Sequence, residues 1–453
     1  MSRLKQKRRF PIGWILLIFV LVAGIVVGIP QIRERVFAKV DELTIQVRSV
    51  LFPVTERAFV PQGVTLPTVT PDQALFQSTN TALPPTATAS AIPLTPQPTL
   101  PPTATSTPLP SSAKLTGVKY ETQNGAWNYC GPTNLAMLLS YWGWKGDKFI
   151  TGQYLKPFQY DYNVMPYEMV NYIQDQTKLG AVMRLGGTLD ELKLLIANGF
   201  PVLLENGEYF RETATQQLGW MGHYTVLTAF NDANKQFIAQ DSYVQPDLPV
   251  AYDTLYQQWR AFDFVFIVAY SQDKKDQLLS LLGDYADEAN SYKIAYDRAS
   301  KEVYSLSGMD QYFAWFNRGT AQVDLQDFAG AAQSFDEAFK LYPSFSEDKR
   351  PWRMLWYQTG PYFAYFYSGR YQDVVNLATS TLDFIKNRAQ SLGITDQPQV
   401  GQFIEETWYW RGMARVVIGD RPGAISDYQM ALKYHPGFTP AVTELKRLGV
   451  AVQ

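Results

Sequence analysis

The pattern of apolar and polar positions changes character several times along the 453-residue chain. MSRLKQKRR is basic, and the next stretch, FPIGWILLIFVLVAGIVVGIP from Phe10 to Pro30, carries no charge. About 20 apolar residues suffice to cross a bilayer as a helix, and cationic residues ahead of the span favour an N-in orientation. Residues 1–9 are thus expected as a cytoplasmic tail, 10–30 as a transmembrane anchor, and everything beyond as extracytoplasmic. A cleaved signal peptide is the alternative, and it exports the same remainder. Residues 31–60 mix charged and apolar positions as a juxtamembrane segment. Residues 61–112 turn abruptly to Pro, Thr, Ala and Ser, as in PPTATASAIPLTPQPTLPPTATSTPLPSS. Such a segment buries too little to offset its ordering entropy, and its prolines stiffen it into an extended stalk.

From residue 113 the periodicities become those of a folded unit. CGPTNLAMLLSYWGW places Leu135, Leu138, Leu139 and Trp142 at helical spacing, with Gly131 and Pro132 setting the helix start at Cys130. TLDELKLLIANGF predicts a second helix, with Thr188 as N-cap and Gly199 as C-cap. PVLLE, HYTVLTAF, QFIAQD and FVFIVAY then read as short strands separated by turn residues such as NDANK. A helical half followed by strands predicts an α+β domain over 113–272.

Strand signals vanish over 273–453, and an internal repeat appears. Trp315, Gly319, Ala331, Phe335, Ala338 and Pro343 are matched by Trp408, Gly412, Ala424, Tyr428, Ala431 and Pro436, each pair 93 positions apart (408 minus 315). PYFAYFYSGRYQDVVNLA lies between them as a divergent copy, with Gly369 and Tyr371 at its turn, and DEANSYKIAYDRASKEVY upstream predicts a further helix. The spacing resembles the tetratricopeptide (TPR) signature, which predicts an all-α TPR-like domain able to hold a protein partner.

Composition narrows the chemistry. A formal net charge of −2 with no basic patch after the first residues argues against nucleic-acid binding. Cys130 is the single cysteine, so intrachain disulfides and metal sites built on cysteine pairs are excluded, and neither a cofactor nor a metal is expected. His223 and His435 are the two histidines. His435 precedes the proline that ends a repeat and reads as structural.

Cys130 falls at a predicted helix N-terminus, where free backbone N–H groups and the helix dipole favour a thiolate. His223 opens a predicted strand and Asp241 ends the next, 18 positions on (241 minus 223). In an antiparallel pair those two positions fall side by side, so the carboxylate can orient the imidazole. The duller readings are a buried apolar cysteine, a structural histidine and a turn aspartate.

NYCGPTNLAMLLSYWG, GHYTVL and DSY together resemble the papain-like peptidases related to the bacteriocin-processing (double-glycine) cysteine peptidases, over roughly residues 114–272. The resemblance implies Cys130 as nucleophile, His223 as general base and Asp241 as its orienter. It also implies a glutamine shortly before the cysteine as oxyanion donor. Gln123 lies seven positions ahead, further than usual, with Asn124 and Asn128 nearer. No G-x-x-x-x-G-K-[ST] loop is present, so coupling to an ABC transporter is not implied. The expectation is a membrane-anchored extracytoplasmic cysteine hydrolase cleaving a peptide or amide bond through a thioester. The alternatives are an inactive papain-like binding protein and a structural scaffold of the envelope.

Overall fold

The computed structural model describes residues 108–452 except 127, 159–160, 212–216 and 393–403, together with residues 43, 47, 59 and 61. The expected anchor over 10–30 and nearly all of the stalk lie outside the described residues, among which no helix is long and apolar enough to cross a membrane.

The N-terminal unit is built on a seven-stranded sheet of order β2-β7-β3-β4-β5-β6, with β1 on β4. Every pairing is antiparallel. The strands are β1 (Ser112–Lys114), β2 (Gly180–Arg184), β3 (Val202–Arg211), β4 (Leu218–Asn231), β5 (Gln236–Gln240), β6 (Leu248–Ala251) and β7 (Phe266–Tyr270). The four strands read from the sequence correspond to β3, β4, β5 and β7. The short β1, β2 and β6 were missed, and β1 begins at the last residue assigned to the stalk. Helices and strands are also more interleaved than the expected helical half followed by strands. β2 sits between α3 (Pro166–Gln176) and α4 (Leu189–Ala197), and α5 (Tyr252–Arg260) precedes β7.

Local chemistry explains the helix ends. The Thr188 hydroxyl accepts the Glu191 N–H at the start of α4. At its other end Asn198 is the C-cap, with Gly199 next in the left-handed region at φ 92°. α1 (Cys130–Tyr141) is buried from Gly131 through Leu139, so it is a core helix rather than an amphipathic one. It packs Leu135, Leu138 and Leu139 among Leu203, Val226 and Ile267 of the sheet.

Beyond residue 271 all described secondary structure is helical. After α6 (Lys275–Leu282) come α7 (Glu288–Ser305), α8 (Gly308–Asp324) and α9 (Phe328–Leu341). They are followed by α10 (Met354–Tyr357), α11 (Gly360–Tyr367), α12 (Tyr371–Leu392), α13 (Glu405–Val417), α14 (Arg421–Tyr434) and α15 (Thr439–Arg447). The repeat positions become contacts. A Cβ on Gly319 of α8 would stand 2.7 Å from Phe335 of α9, and one on Gly412 of α13 would stand 2.6 Å from Tyr428 of α14. In each pair the glycine admits an aromatic ring from the following helix. The N-caps repeat as well: Asp327 accepts from Gly330 N and Asp420 from Gly423 N, both at 3.0 Å.

The two units share a core. Trp220 of β4 stacks on Phe262 and on Phe313 of α8, with centroids 5.7 and 5.9 Å apart. Arg353 donates to the Trp220 carbonyl at 3.1 Å, Gln358 to that of Ala261 at 2.9 Å, and Asn317 to that of Arg260 at 2.7 Å. These bonds satisfy carbonyls that the packed rings cut off from water. Phe59, from the expected juxtamembrane segment, is buried edge-on to Phe339 with centroids 5.3 Å apart.

Candidate active site

The β3–β4 hairpin runs in register from Val202↔Leu227 to Arg211↔Leu218, which puts His223 opposite Asn206. On the other edge of β4, Val226 pairs with Gln240. One step further Asp241 therefore comes level with Thr225, on the face that His223 shares two residues away. The imidazole and the carboxylate meet there, with His223 Nε2 3.0 Å from Asp241 Oδ1. The same oxygen accepts the backbone N–H groups of Tyr243 (2.8 Å) and Val244 (2.9 Å). Both side chains are buried.

Cys130, half-buried at the first position of α1, lies near enough to His223 for each to shift the other's protonation. Because Asp241 occupies Nε2, the nitrogen left for the sulfur is Nδ1. Burial pushes the Cys130 thiol up. The His223 hydrogen bond and charge, the backbone at Tyr224 and the charge of Lys156 outweigh it, and the thiol ends below its ordinary value. Burial also pushes His223 down, but the charge and hydrogen bond of Asp241, joined by Cys130, carry it well above its ordinary value. For Asp241, burial is overcome by His223 and by the two backbone N–H groups, which hold the carboxyl low. All three directions favour a thiolate beside an imidazolium steadied by a carboxylate.

A second set of bonds ties the 120–123 segment to this centre. Asn134 donates both to the Cys130 carbonyl (2.9 Å) and to Ser242 Oγ (2.8 Å). With its lone pair so used, the Ser242 hydroxyl donates to Gln123 Oε1 at 2.8 Å. Gln123 N donates to the Ser242 carbonyl at 2.9 Å, and Tyr120 OH to that of Asp241 at 3.1 Å. The Gln123 carbonyl oxygen being engaged, its amide N–H groups point away from Ser242. Asn124 is exposed. Asn128 turns its amide to the carbonyls of Tyr162 and of Asp161, the latter at 3.4 Å.

Two buried ionisable groups at the site carried no signal in the sequence. Lys156 donates to the Asn128 carbonyl at 3.0 Å; burial draws its pKa down to about 8 against the opposing charges of Asp161 and Cys130. Glu205 lines the small cleft at Cys130 together with Gly131, Tyr162, Val164 and Tyr357, and burial pushes its carboxyl well up. A neutral Glu205 does not compete with a thiolate for positive charge. His435 takes a structural position, with Nδ1 3.1 Å from Glu405 Oε1 and its ring against Phe158. Asp161, Glu405 and His435 present ligand-type atoms within 4.8 Å of one another. Burial and the charge of Glu405 push the Asp161 carboxyl well up, against the opposing charge of Lys156.

Residues 115–267 match the model of the Peptidase_C39 like family. No protein of curated function matches the chain. Among solved structures, a Bacillus anthracis protein described as a C39-like peptidase is similar at 16% identity. The likeness covers 36% of this chain and 98% of that one at a TM-score of 0.29, too low to carry an argument about geometry. The family match supports a papain-like cysteine-peptidase domain of the C39 type within the chain, followed by a helical region.

Proposed function

We propose that the protein is a cysteine hydrolase that cleaves a peptide or amide bond through the triad Cys130, His223 and Asp241. One observation carries the reading: a single buried imidazole bonds a carboxylate at 3.0 Å and lies by the single thiol, whose protonation it shifts and which shifts its own. In the reaction the Cys130 thiolate attacks the carbonyl carbon, and the carbonyl π electrons move onto oxygen. The imidazolium of His223 then gives its proton to the departing amine as the C–N bond breaks, leaving a thioester. Water attacks the thioester while His223 takes its proton, and the acid is released with return of the thiolate. Asp241 keeps the ring in the productive tautomer and stabilises its charge. The Gln123 amide and the backbone N–H of Cys130 at the α1 N-terminus are the donors offered to the oxyanion.

The helical region is read as TPR-like repeats that hold a protein partner. This rests on the glycine-to-ring contacts and the N-caps recurring 93 residues apart (412 minus 319). The anchor and stalk are read from the sequence, as holding the enzyme outside the membrane.

Iodoacetamide labelling tests the triad, because Cys130 is the single cysteine of the chain. Wild type should label rapidly well below about pH 8, and His223→Ala should slow about tenfold or more there and catch up at alkaline pH. Equal, sluggish labelling of both would replace the hydrolase with a papain-like binding protein.

A further inference from the structure

Asn128, two residues ahead of Cys130, sits in the left-handed region at φ 54°. Asparagine tolerates that backbone better than most residues, but the conformation still costs energy and persists where neighbours enforce it. Three bonds do so here. The Asn128 amide donates to the carbonyls of Tyr162 and of Asp161, and the Lys156 side chain donates to the Asn128 carbonyl at 3.0 Å. The 161–164 segment that receives the amide is itself fixed from the helical region. Tyr162 lies flat on the Trp356 indole of α10, with centroids 4.3 Å apart and planes within 15°. Asn163 donates its side-chain amide to the Trp356 carbonyl, 193 positions along the chain. Both rings are buried.

The segment so held is also a wall of the site, since Tyr162, Asn163 and Val164 line the cleft at Cys130. Trp356 Nε1 is buried with no hydrogen-bond partner, so the indole serves there through its flat face rather than its polar edge. A chain of contacts therefore runs from Trp356 through Tyr162 and Asn163 to Asn128, and from Asn128 along the backbone to the first residue of α1.

We propose that Trp356 is a positioning residue for Cys130: it holds the 162–163 turn, which keeps Asn128 left-handed and so presents the thiol to His223. The role rests on the hydrolase reading, but its test needs no substrate. Iodoacetamide labelling of the full chain is followed against pH, with urea unfolding run on each variant. Trp356→Leu should label about tenfold more slowly near neutral pH, its profile moving toward the ordinary thiol range as the sulfur leaves the imidazole and the helix N-terminus. The conservative Trp356→Phe keeps a flat ring, loses the unbonded N–H and should stay within about twofold of wild type. Asn163→Ala frees the same segment with little change in volume and should slow labelling as Trp356→Leu does, so the test survives a Trp356→Leu chain that fails to fold. Glycine takes the left-handed backbone without the side-chain cost, so in an Asn128→Gly background either variant should slow labelling by less than about twofold. A merely structural Trp356 would lower unfolding stability and leave the pH profile alone. Profiles of Trp356→Leu and Asn163→Ala that match wild type would overturn the proposal, as would a full tenfold loss in the Asn128→Gly background. Wild type and His223→Ala labelling alike is a different failure, that of the triad, and would overturn this role with it.

Discussion

His223 Nε2 lies 3.0 Å from Asp241 Oδ1, the same oxygen that receives the N–H groups of Tyr243 and Val244. One carboxylate oxygen thus takes three donors, and the amide oxygen of an asparagine can take the same three without the charge. Asp241→Asn should therefore keep the fold while letting the His223 pKa fall, and the Cys130 thiol should rise as its cationic partner is lost. Iodoacetamide labelling near neutral pH should drop about tenfold, with the acid limb of the profile moving toward the ordinary thiol range.

Gln123 separates attack on a carbonyl from thiol reactivity. If its amide meets the oxyanion, Gln123→Ala should lower kcat for a peptidyl aminocoumarin substrate by about 10²-fold. Iodoacetamide labelling, which creates no oxyanion, should stay near the wild-type rate. A parallel loss in both assays would mean that Gln123 acts by holding Ser242 and the 241–242 turn.

The helical repeat makes a packing prediction. Gly319→Ala and Gly412→Ala would each drive a methyl into an aromatic ring at 2.6–2.7 Å. Overpacking should outweigh alanine's helix preference, and each variant should lose about 1–2 kcal/mol in urea unfolding. Phe335→Leu should restore part of the loss at Gly319 by vacating the space.

Glu406 links stability to pH. Burial, with the charge of Glu405, raises its carboxyl to about 7 against the Thr359 hydrogen bond and His435. The folded chain then keeps this proton until about pH 7 while the unfolded chain releases it near its ordinary value of 4.5. Its contribution to stability is accordingly lost as pH rises between those values. Glu406→Gln should gain on the order of 1 kcal/mol at about pH 8 and nothing at about pH 4.

The proposed triad could be read from the sequence because its members sit on strong local signals. Cys130 opens a helix marked by Gly131 and Pro132, and a single turn brings His223 and Asp241 onto adjacent strands. The glycine and aromatic positions of the helical repeat were visible for a similar reason: recurrence at one spacing exposes packing that a single copy hides. Lys156, Ser242 and Asn134 were not legible. Ser242 meets Gln123 and Asn134 across separations of 119 and 108 residues, and neither pair shares a local pattern. The packing of Tyr357 on Trp220, with centroids 6.1 Å apart, and the Arg353 bond to the Trp220 carbonyl were obscured too, because PWRMLWYQTGPYFAYFY is apolar enough to suit a core or an interface.

The central claim is an ionised Cys130 beside a protonated His223, and the ultraviolet absorbance of the thiolate reports it directly in a chain with one cysteine. The titration is taken as the difference between wild type and Cys130→Ser. Thiolate absorbance should already be present below about pH 7, and in His223→Ala it should retreat to the ordinary thiol range of about 8.5. A single wild-type transition at or above that range, unchanged by His223→Ala, would contradict the ion pair and the hydrolase built on it.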